Sequence, residues 1–228
     1  IRARDVTGVQ TCALPISGAF AEMTKEILPK DYPNIDKDMV NVYLLEGGKH
    51  TLANMSPFAQ KYSNQQLQKM GVVVKTETIV TNYDGEILTL SSGEEIKTNN
   101  VIWSAGVIGN TIDGIPKENI LRNGRIKVDS INRVEGLNYV FAIGDLAYME
   151  TKKYPNGHPQ VANVAIGQGK NLARNIKRLE LPENKTTKRD RIKPYKYLNL
   201  GTMATIGRNK AVVDLPFIKF KGYFAWLV

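Results

Sequence analysis

The chain has 228 residues, of which 42% are hydrophobic and 23% are charged. These are ordinary values for a globular protein with a substantial core. The single cysteine excludes a disulfide framework. No apolar run approaches the roughly 20 residues that a membrane-spanning helix needs, and no apolar region follows the N-terminal IRARD, so we expect no signal peptide.

The formal net charge of the chain is +9, which favours an anionic partner. Much of the excess positive charge lies in KTTKRDRIKPYK at residues 185–196. We interpret this segment either as a solvated basic linker or as a contact with an anionic membrane surface. Because no aromatic ladder or zinc-finger spacing accompanies it, we predict no nucleic-acid partner.

The first predicted element is a helix over residues 18–28, which Pro29 is expected to end. Its apolar residues fall on one stripe, namely Phe20, Met23, Ile27 and Leu28. The next apolar run, VNVYLLE at residues 40–46, predicts a strand that ends on an acidic residue.

A second helix is predicted between that strand and another strand at residues 72–75. Ser56 is its expected N-cap, Pro57 its first residue and Gly71 its C-terminal glycine. A strand–helix–strand unit predicts parallel pairing with a right-handed crossover.

The following segment alternates short strands with the turn signals Tyr83-Asp84-Gly85 and Ser92-Gly93. It predicts a three-stranded antiparallel sheet. The chain is then expected to return to the parallel sheet, with VIWSAG at residues 101–106 as a strand.

Towards the C-terminus we predict a buried strand at residues 139–143, then a long helix over residues 160–179. The apolar face of that helix is expected to contain Val161, Val164, Ile166 and Leu172. Two or three short strands are predicted after residue 196, with a turn at residues 207–209.

Three features could carry chemistry. Glu46, at the end of its strand, could accept both ribose hydroxyls of NADH and repel the 2′-phosphate of NADPH, or could simply end a strand. Gly144-Asp145, after the predicted buried strand, could hold a sugar or a ribityl chain, or form a plain turn. The helix start at residues 159–169 could face a flavin pyrimidine edge or a quinone oxygen, or pack only through its alanines.

Four motifs in this order resemble the type II NADH:quinone oxidoreductases. They are WSAGV at residues 103–107, FAIGD at 141–145, PQVANVAIGQG at 159–169 and GTMATIGRNKAVVD at 201–214. The last motif distinguishes this family from the wider disulfide-reductase group. The resemblance extends from about Gly18 to the final residue.

The resemblance implies two cofactors and a quinone. FAD would be bound by Gly144, Asp145, Gln160, Val161, Ala162 and Gln168; NADH would lie near Glu46, Ala105 and Gly106; quinone would approach Gln160, Asn163 and Gln168. The family usually offers two glutamines where this chain has Asn163 and Gly167.

The fold class implied is α/β, with two incomplete Rossmann-like lobes of the glutathione-reductase type and a small C-terminal β-rich segment. We assign residues 18–106 to a partial NADH-binding domain and 107–182 to the C-terminal part of an FAD-binding domain. Residues 183–228 would form a basic linker and a truncated membrane-docking region.

The function implied is that of a non-proton-pumping enzyme that passes a hydride from NADH to FAD and electrons to a membrane quinone. It would lie peripherally on the cytoplasmic face of the cell membrane. The resemblance is compatible with a homodimer but does not fix the oligomeric state. The alternatives are another FAD- and NAD(P)H-dependent pyridine nucleotide oxidoreductase, or a non-catalytic NADH-binding flavoprotein.

The segment VTGVQTCALPIS at residues 6–17 is interpreted as a translated sequencing adapter, so residues 1–17 are expected to be non-native. It retains one glycine of the family's G-x-G-x-x-G turn and would insert an apolar loop there. We therefore assign Cys12 no function. Because the family's first FAD-binding strand, its glycine loop and the opening of the NADH unit are expected to be missing, we expect the chain as written to bind FAD poorly and to have no turnover.

No catalytic acid and no metal site are predicted from the sequence. His50 and His158 both lie in polar segments and are expected to be ordinary surface residues.

Overall fold

The computed structural model describes residues 13–34, 40–180 and 192–228. The chain divides into two compact units, unit 1 with Ile1–Gly106 and Asn199–Val228, and unit 2 with Val107–Leu198. That residues 18–106 bind NADH and residues 107–182 bind FAD stays a prediction.

Unit 1 begins with α1 (Ala13–Glu22), which continues through a π-helical turn (Met23–Ile27) into α2 (Leu28–Asp31). The helix starts before the predicted position, so the apolar loop expected at residues 12–16 is wrong for residues 13–16. Cys12 and the rest of residues 1–12 lie outside the described residues. Pro29 does not end the helix, because it lies in the first turn of α2, where a missing N–H group is tolerated.

The apolar stripe predicted for residues 18–28 is not the buried face of this helical segment. Phe20, Met23 and Ile27 are exposed, whereas the buried residues are Leu14, Ser17, Gly18 and Ala21. Small residues allow the helix to lie close to the strand β8 (Thr202–Gly207). A Cβ on Gly18 would overlap the carbonyl oxygen of Ile206, so close backbone approach decides which face packs.

The strand–helix–strand unit is confirmed. Strands β1 (Val42–Leu45) and β2 (Val72–Lys75) are parallel and flank α3 (Pro57–Lys69). Ser56 caps α3 by accepting the Ala59 N–H at 3.4 Å, and Gly71 follows the helix with φ of +89°.

Strands β3 (Val80–Tyr83), β4 (Ile87–Leu90) and β5 (Glu95–Lys97) form the predicted three-stranded antiparallel sheet. The predicted return strand at residues 101–106 is wrong: this segment has no regular structure, and Ile102 and Trp103 are exposed. A strand is stabilised by hydrogen bonds to a neighbour. In the described part of the chain, no strand pairs with this segment.

Unit 1 is completed by an antiparallel sheet of β8, β9 (Lys210–Asp214) and β10 (Lys219–Gly222), followed by the helical turn α5 (Tyr223–Trp226). The predicted strands and their turn are confirmed, with Asn209 at a φ of +62°. The sheet is joined to α3 because the Asp214 carboxylate accepts hydrogen bonds from the Ser56 N–H at 2.6 Å and its hydroxyl at 2.8 Å.

Unit 2 contains a small parallel pair, β6 (Ile126–Lys127) and β7 (Ala147–Tyr148), and the long helix α4 (Ala162–Leu179). The predicted buried strand at residues 139–143 is wrong, since Tyr139 is 93% exposed and only Phe141 forms a bridge, to Arg133. Two backbone hydrogen bonds flank this bridge, from the Val134 N–H to the Val140 carbonyl oxygen at 2.9 Å and from the Ala142 N–H to the Asn132 carbonyl oxygen at 3.0 Å, and Asn132 has a φ of +69°.

Helix α4 begins two positions after its predicted start, because Val161 is extended. Val164 is buried as expected, but Ile166 is exposed, and the other buried positions are Gln168 and Asn175. The buried face of α4 is therefore largely polar. No helix within residues 13–34, 40–180 and 192–228 is long and apolar enough to cross a membrane.

Candidate functional site

The predicted Gly144-Asp145 turn packs on the first turns of α4. Gly144 has a φ of +68°, in the left-handed region that favours glycine. Its N–H donates to Gln168 Oε1 at 2.7 Å, and a Cβ on it would lie 3.3 Å from the Ala165 Cβ. Asp145 follows at an exposed position. The turn is thus held against α4 while its carboxylate remains accessible.

The N-terminus of α4 lies beside this turn. Gln160 Nε2 donates to the carbonyl oxygen of Asp145 at 3.2 Å. The N–H groups of Val164 and Ala165 are satisfied by Val161, and Val161 contributes no side-chain cap. Among the described residues, no acceptor is found for the first N–H groups of the helix, those of Ala162 and Asn163. These groups and the helix dipole favour an electron-rich ligand atom.

Gln168 positions the turn from inside the unit. Its side chain is 0% exposed, its Oε1 is used by Gly144, and its Nε2 is buried without a partner among the described groups. Direct contact of Gln168 with a flavin or a quinone stays a prediction.

Asn163 is half-buried and bonds to Tyr197. Burial raises the pKa of Tyr197, and the hydrogen bond from Asn163 partly offsets that effect. The predicted role of Asn163 towards quinone also stays a prediction.

Tyr195 explains the glycine at position 167. A Cβ on Gly167 would lie 2.8 Å from Tyr195 Oη and 2.9 Å from its Cε2. The Tyr195 N–H donates to the carbonyl oxygen of Ser130 at 2.7 Å, and the side chain is buried. Tyr195 therefore fills the space that a side chain at position 167 would need. Nothing in the sequence pattern indicated this pairing, because the two residues belong to distant segments.

His158 is 2% exposed, so the expectation of a surface histidine is wrong. Its imidazole packs at ring-centroid distances of 5.3 to 5.6 Å against three aromatic residues, Tyr154, Tyr195 and Tyr197. Burial, and secondarily the charge of Arg125, lowers the pKa of His158. The histidine is therefore predominantly neutral near neutral pH.

Arg125 is a second buried residue that sequence reasoning missed. Its Nη2 donates to the carbonyl oxygen of Ala147 at 2.6 Å and to that of His158 at 3.0 Å. It thereby ties β7 to the segment that leads into α4, and its charge also interacts with Asp145. The only sequence signal was a basic residue within an apolar strand pattern.

In unit 1, Glu46 follows β1 as predicted. It is 8% exposed, and its Oε1 accepts the Gly48 N–H at 2.7 Å. Burial raises the pKa of Glu46, while the Gly48 hydrogen bond opposes that shift. Ala105 is half-buried and Gly106 exposed, in a segment without regular structure. That these three residues share an NADH molecule stays a prediction.

Comparison with known proteins supports the resemblance. The sequence profile of the pyridine nucleotide-disulphide oxidoreductase family matches residues 6–169. The chain is 29% identical to the type II NADH:quinone oxidoreductase Ndh of Mycobacterium tuberculosis, over 98% of this chain and 48% of that protein. It is 30% identical to an internal alternative NAD(P)H-ubiquinone oxidoreductase A1 of Arabidopsis thaliana, over 98% of this chain and 45% of that protein. The chain thus spans about half the length of the curated relatives it matches.

A solved structure shares the fold. NDH2 from Plasmodium falciparum, determined in complex with NADH, superposes with a TM-score of 0.82 at 17% identity, covering 96% of this chain and 59% of that protein. The predicted α/β class with incomplete Rossmann-like lobes is confirmed. The family match begins inside residues 6–17, and the interpretation of that segment as adapter sequence stays a prediction. The chain belongs to the pyridine nucleotide-disulphide oxidoreductase family.

Proposed function

We propose that the chain forms the NADH-binding and flavin-contacting part of a non-proton-pumping, FAD-dependent NADH:quinone oxidoreductase. The observation that carries the proposal is the turn at Gly144-Asp145, held on the N-terminus of α4 by Gln168. It presents an accessible carboxylate beside two helix N–H groups, those of Ala162 and Asn163, for which the described residues offer no acceptor. The relatives named above support the reaction class.

The residues in unit 2 fit a bound FAD. The Asp145 carboxylate would accept hydrogen bonds from hydroxyl groups of the ribityl chain, and the N–H groups of Ala162 and Asn163 would face an electron-rich carbonyl of the ring system. Bound FAD would supply the capacity to take a hydride from NADH and pass electrons to quinone. Gln160, Val161 and Gln168 would fix the helix start, and the carboxamide of Asn163 would border the quinone side.

Glu46 would bind the adenosine ribose of NADH. A carboxylate at the carboxyl end of the second strand of such a unit accepts ribose hydroxyl groups. Its bond with the Gly48 N–H holds one oxygen in place, and the backbone near Ala105 and Gly106 would approach the same dinucleotide.

The C-terminal hairpin of unit 1, formed by β9 and β10, suits docking to an anionic membrane surface. Phe217 is 97% exposed, and Ile218 and Phe224 are also exposed. Lys219 lies next to them on β10. Exposed apolar side chains beside cationic ones suit peripheral attachment to anionic lipid, here at the cytoplasmic face of the cell membrane.

Binding of FAD tests the proposal directly. FAD titrated into the purified chain gives the dissociation constant of the wild type. Asp145→Asn should lower the affinity about tenfold, because a charge-assisted hydrogen bond is worth roughly 1.5 kcal/mol or more. Asp113→Asn, at another exposed aspartate of unit 2, is the matched control.

Equal affinities for the wild type and Asp145→Asn would contradict the FAD assignment. NADH oxidation with a short-chain quinone, measured on the FAD-saturated chain, separates an enzyme from a flavoprotein that only binds. For docking, liposomes containing anionic lipid should retain the chain, and Phe217→Ser should weaken retention. A concentration-dependent dimer without lipid binding would assign this hairpin to a second copy instead.

A further inference from the structure

His158 occupies a closed site within unit 2. Its imidazole is enclosed by the rings of Tyr154, Tyr195 and Tyr197, called here the tyrosine cluster, at centroid distances of 5.3 to 5.6 Å. Its backbone is held as well, because its carbonyl oxygen accepts a hydrogen bond from Arg125 Nη2 at 3.0 Å. A change in the charge of the imidazole would therefore act on all of these contacts.

The site offers no acceptor for a second ring proton. Nδ1 of His158 is buried and has no hydrogen-bond partner among the described groups. In an imidazolium both ring nitrogens carry a proton. The Nδ1–H group would then be a buried donor without an acceptor, which is costly.

Two cations border the tyrosine cluster. Arg125 is buried, and its positive charge acts on His158. Lys153 is the second cation, since its Nζ lies 5.6 Å from the centre of the Tyr154 ring. A protonated His158 would face these like charges and would also lose the hydration that an exposed imidazolium keeps.

The carboxylates of the neighbouring segments act on other groups. Glu150 accepts a hydrogen bond from the Tyr148 hydroxyl, and Asp145 interacts with the charge of Arg125. Within the described part of the chain, the charge that acts on His158 is that of Arg125. A proton on the imidazole would therefore not be compensated by either acid.

The tyrosine cluster cannot easily rearrange around a charged ring. The Tyr195 N–H donates to the Ser130 carbonyl oxygen at 2.7 Å. Two residues earlier, the Lys193 N–H donates to Asn175 Oδ1 at 3.0 Å, and Asn175 Nδ2 donates to the Lys193 carbonyl oxygen at 2.9 Å. Because Asn175 belongs to α4 and is buried, the tyrosine segment is fixed from inside the unit. The group that can leave is His158.

A short and stiff stretch of backbone links His158 to the candidate FAD site. Pro159 follows it and restricts both its own φ and the conformation of His158. Gln160 comes next, and its Nε2 donates to the Asp145 carbonyl oxygen at 3.2 Å. Movement of His158 would therefore disturb the start of α4 and the Gly144-Asp145 turn.

We propose that His158 is an acid-sensitive positioning residue: while neutral it fixes the start of α4 and the Gly144-Asp145 turn, and when protonated it leaves the tyrosine cluster and releases both. The inference deepens the proposed function, on which only its FAD readout rests. Burial and the charge of Arg125 lower the pKa of His158, so the packed form takes up the proton less readily than the open form. The packed form should therefore lose stability as pH falls from the ordinary histidine pKa of 6.5 through the lowered one.

The ligand-free whole chain tests the proposal between about pH 8 and pH 5, the range in which histidine changes charge. Ring resonances of His158 in NMR spectra report its protonation. Hydrogen-exchange protection factors, corrected for the intrinsic effect of pH, report the turn. The Gly144 amide should lose protection at least about fivefold as His158 titrates, the lower end of coupling between two sites. The amides of β2 in unit 1 should keep theirs.

Histidine variants assign the effect. His158→Phe keeps a planar ring in the tyrosine cluster and removes the titrating group, so the pH dependence at Gly144 should disappear. His50→Phe, at the other histidine, which is exposed in unit 1, is the matched control and should retain it. The dissociation constant of FAD should rise at least about fivefold towards low pH in the wild type and in His50→Phe, but not in His158→Phe. If His158→Phe does not fold, His158→Gln takes its place.

Three results would overturn the proposal. Unchanged protection of Gly144 while His158 titrates would show that the tyrosine rings retain the imidazolium. His158 resonances that do not titrate in this range would show that the site withstands acid. A loss of protection that persists in both His158 variants would assign it to another group. If FAD alone fails to bind at either pH, the FAD assignment fails, and the ligand-free hydrogen exchange still decides the role of His158.

Discussion

The effect of Gly167→Ala on the stability of unit 2 should depend on the residue at position 195 and should change sign when that residue is replaced. In the wild-type background the new Cβ would lie 2.8 Å from Tyr195 Oη and 2.9 Å from Cε2, well inside the roughly 3.5–4.0 Å of an unstrained carbon contact. The ring cannot easily withdraw, since Tyr195 is buried, tied to Ser130 through its N–H and packed on His158.

Two opposing terms set the magnitude. Overpacking a filled site costs about 1–3 kcal/mol, while replacing glycine by alanine inside a helix stabilises it by about 1 kcal/mol. Gly167→Ala should therefore destabilise unit 2 by roughly 0–2 kcal/mol. In a Tyr195→Leu background the clash is removed, so the same substitution should stabilise the helix by up to about 1 kcal/mol.

Hydrogen exchange of the α4 backbone amides measures this locally, and the four proteins of the double-mutant cycle give the coupling energy. Gly169→Ala is the control, because a Cβ there meets its nearest neighbour, Ile143 Cδ1, at an ordinary 3.7 Å. It should stabilise both backgrounds equally. If Gly167→Ala behaves like Gly169→Ala in the wild type, or if the coupling is below about 0.5 kcal/mol, the packing argument fails.

Two further predictions concern buried polar groups. Gln168→Leu removes the acceptor for the Gly144 N–H and should destabilise the turn by about 1 kcal/mol, seen as faster hydrogen exchange at Gly144 and lower FAD affinity; an unchanged exchange rate would mean that water replaces the amide without cost. Burial raises the pKa of Glu46, so the folded chain binds that proton more tightly than the unfolded chain does. The free energy of unfolding should then fall as pH rises from the ordinary glutamate pKa through the raised one, and Glu46→Gln should flatten this slope in urea titrations; equal slopes would contradict the shift.

Local rules were sufficient where an element depends on neighbours in sequence. The N-cap at Ser56 and the terminal glycine at Gly71 predicted the limits of α3 closely. The turn at Asp84-Gly85 likewise predicted the antiparallel pairing of β3 with β4. The motif at residues 141–145 also predicted the turn at Gly144-Asp145. A tight turn of this kind depends on a few consecutive residues, so local sequence is enough to indicate it.

Local rules failed where an element depends on a partner far away in the chain. Residues 101–106 have the apolar content of a strand, yet no strand in the described ranges pairs with them and they remain irregular. Residues 139–143 form one bridge, between Phe141 and Arg133, with Asn132 of the opposing segment at a positive φ. Apolar content indicates that burial is favourable, but it does not specify the strand that would pair.

The sequence by itself determined the family, the strand–helix–strand unit around α3, the antiparallel strands β3 to β5 and the places of Glu46 and Asp145 after their segments. Tertiary structure decided the state of the side chains: His158 is buried among tyrosines, and Gln168 is turned inward to hold Gly144. Motifs record which residues stand close in sequence, whereas burial and hydrogen bonding depend on which segments meet in space. The physical reason is that desolvation and hydrogen-bond pairing of a side chain are set by its neighbours in three dimensions, most of them distant along the chain.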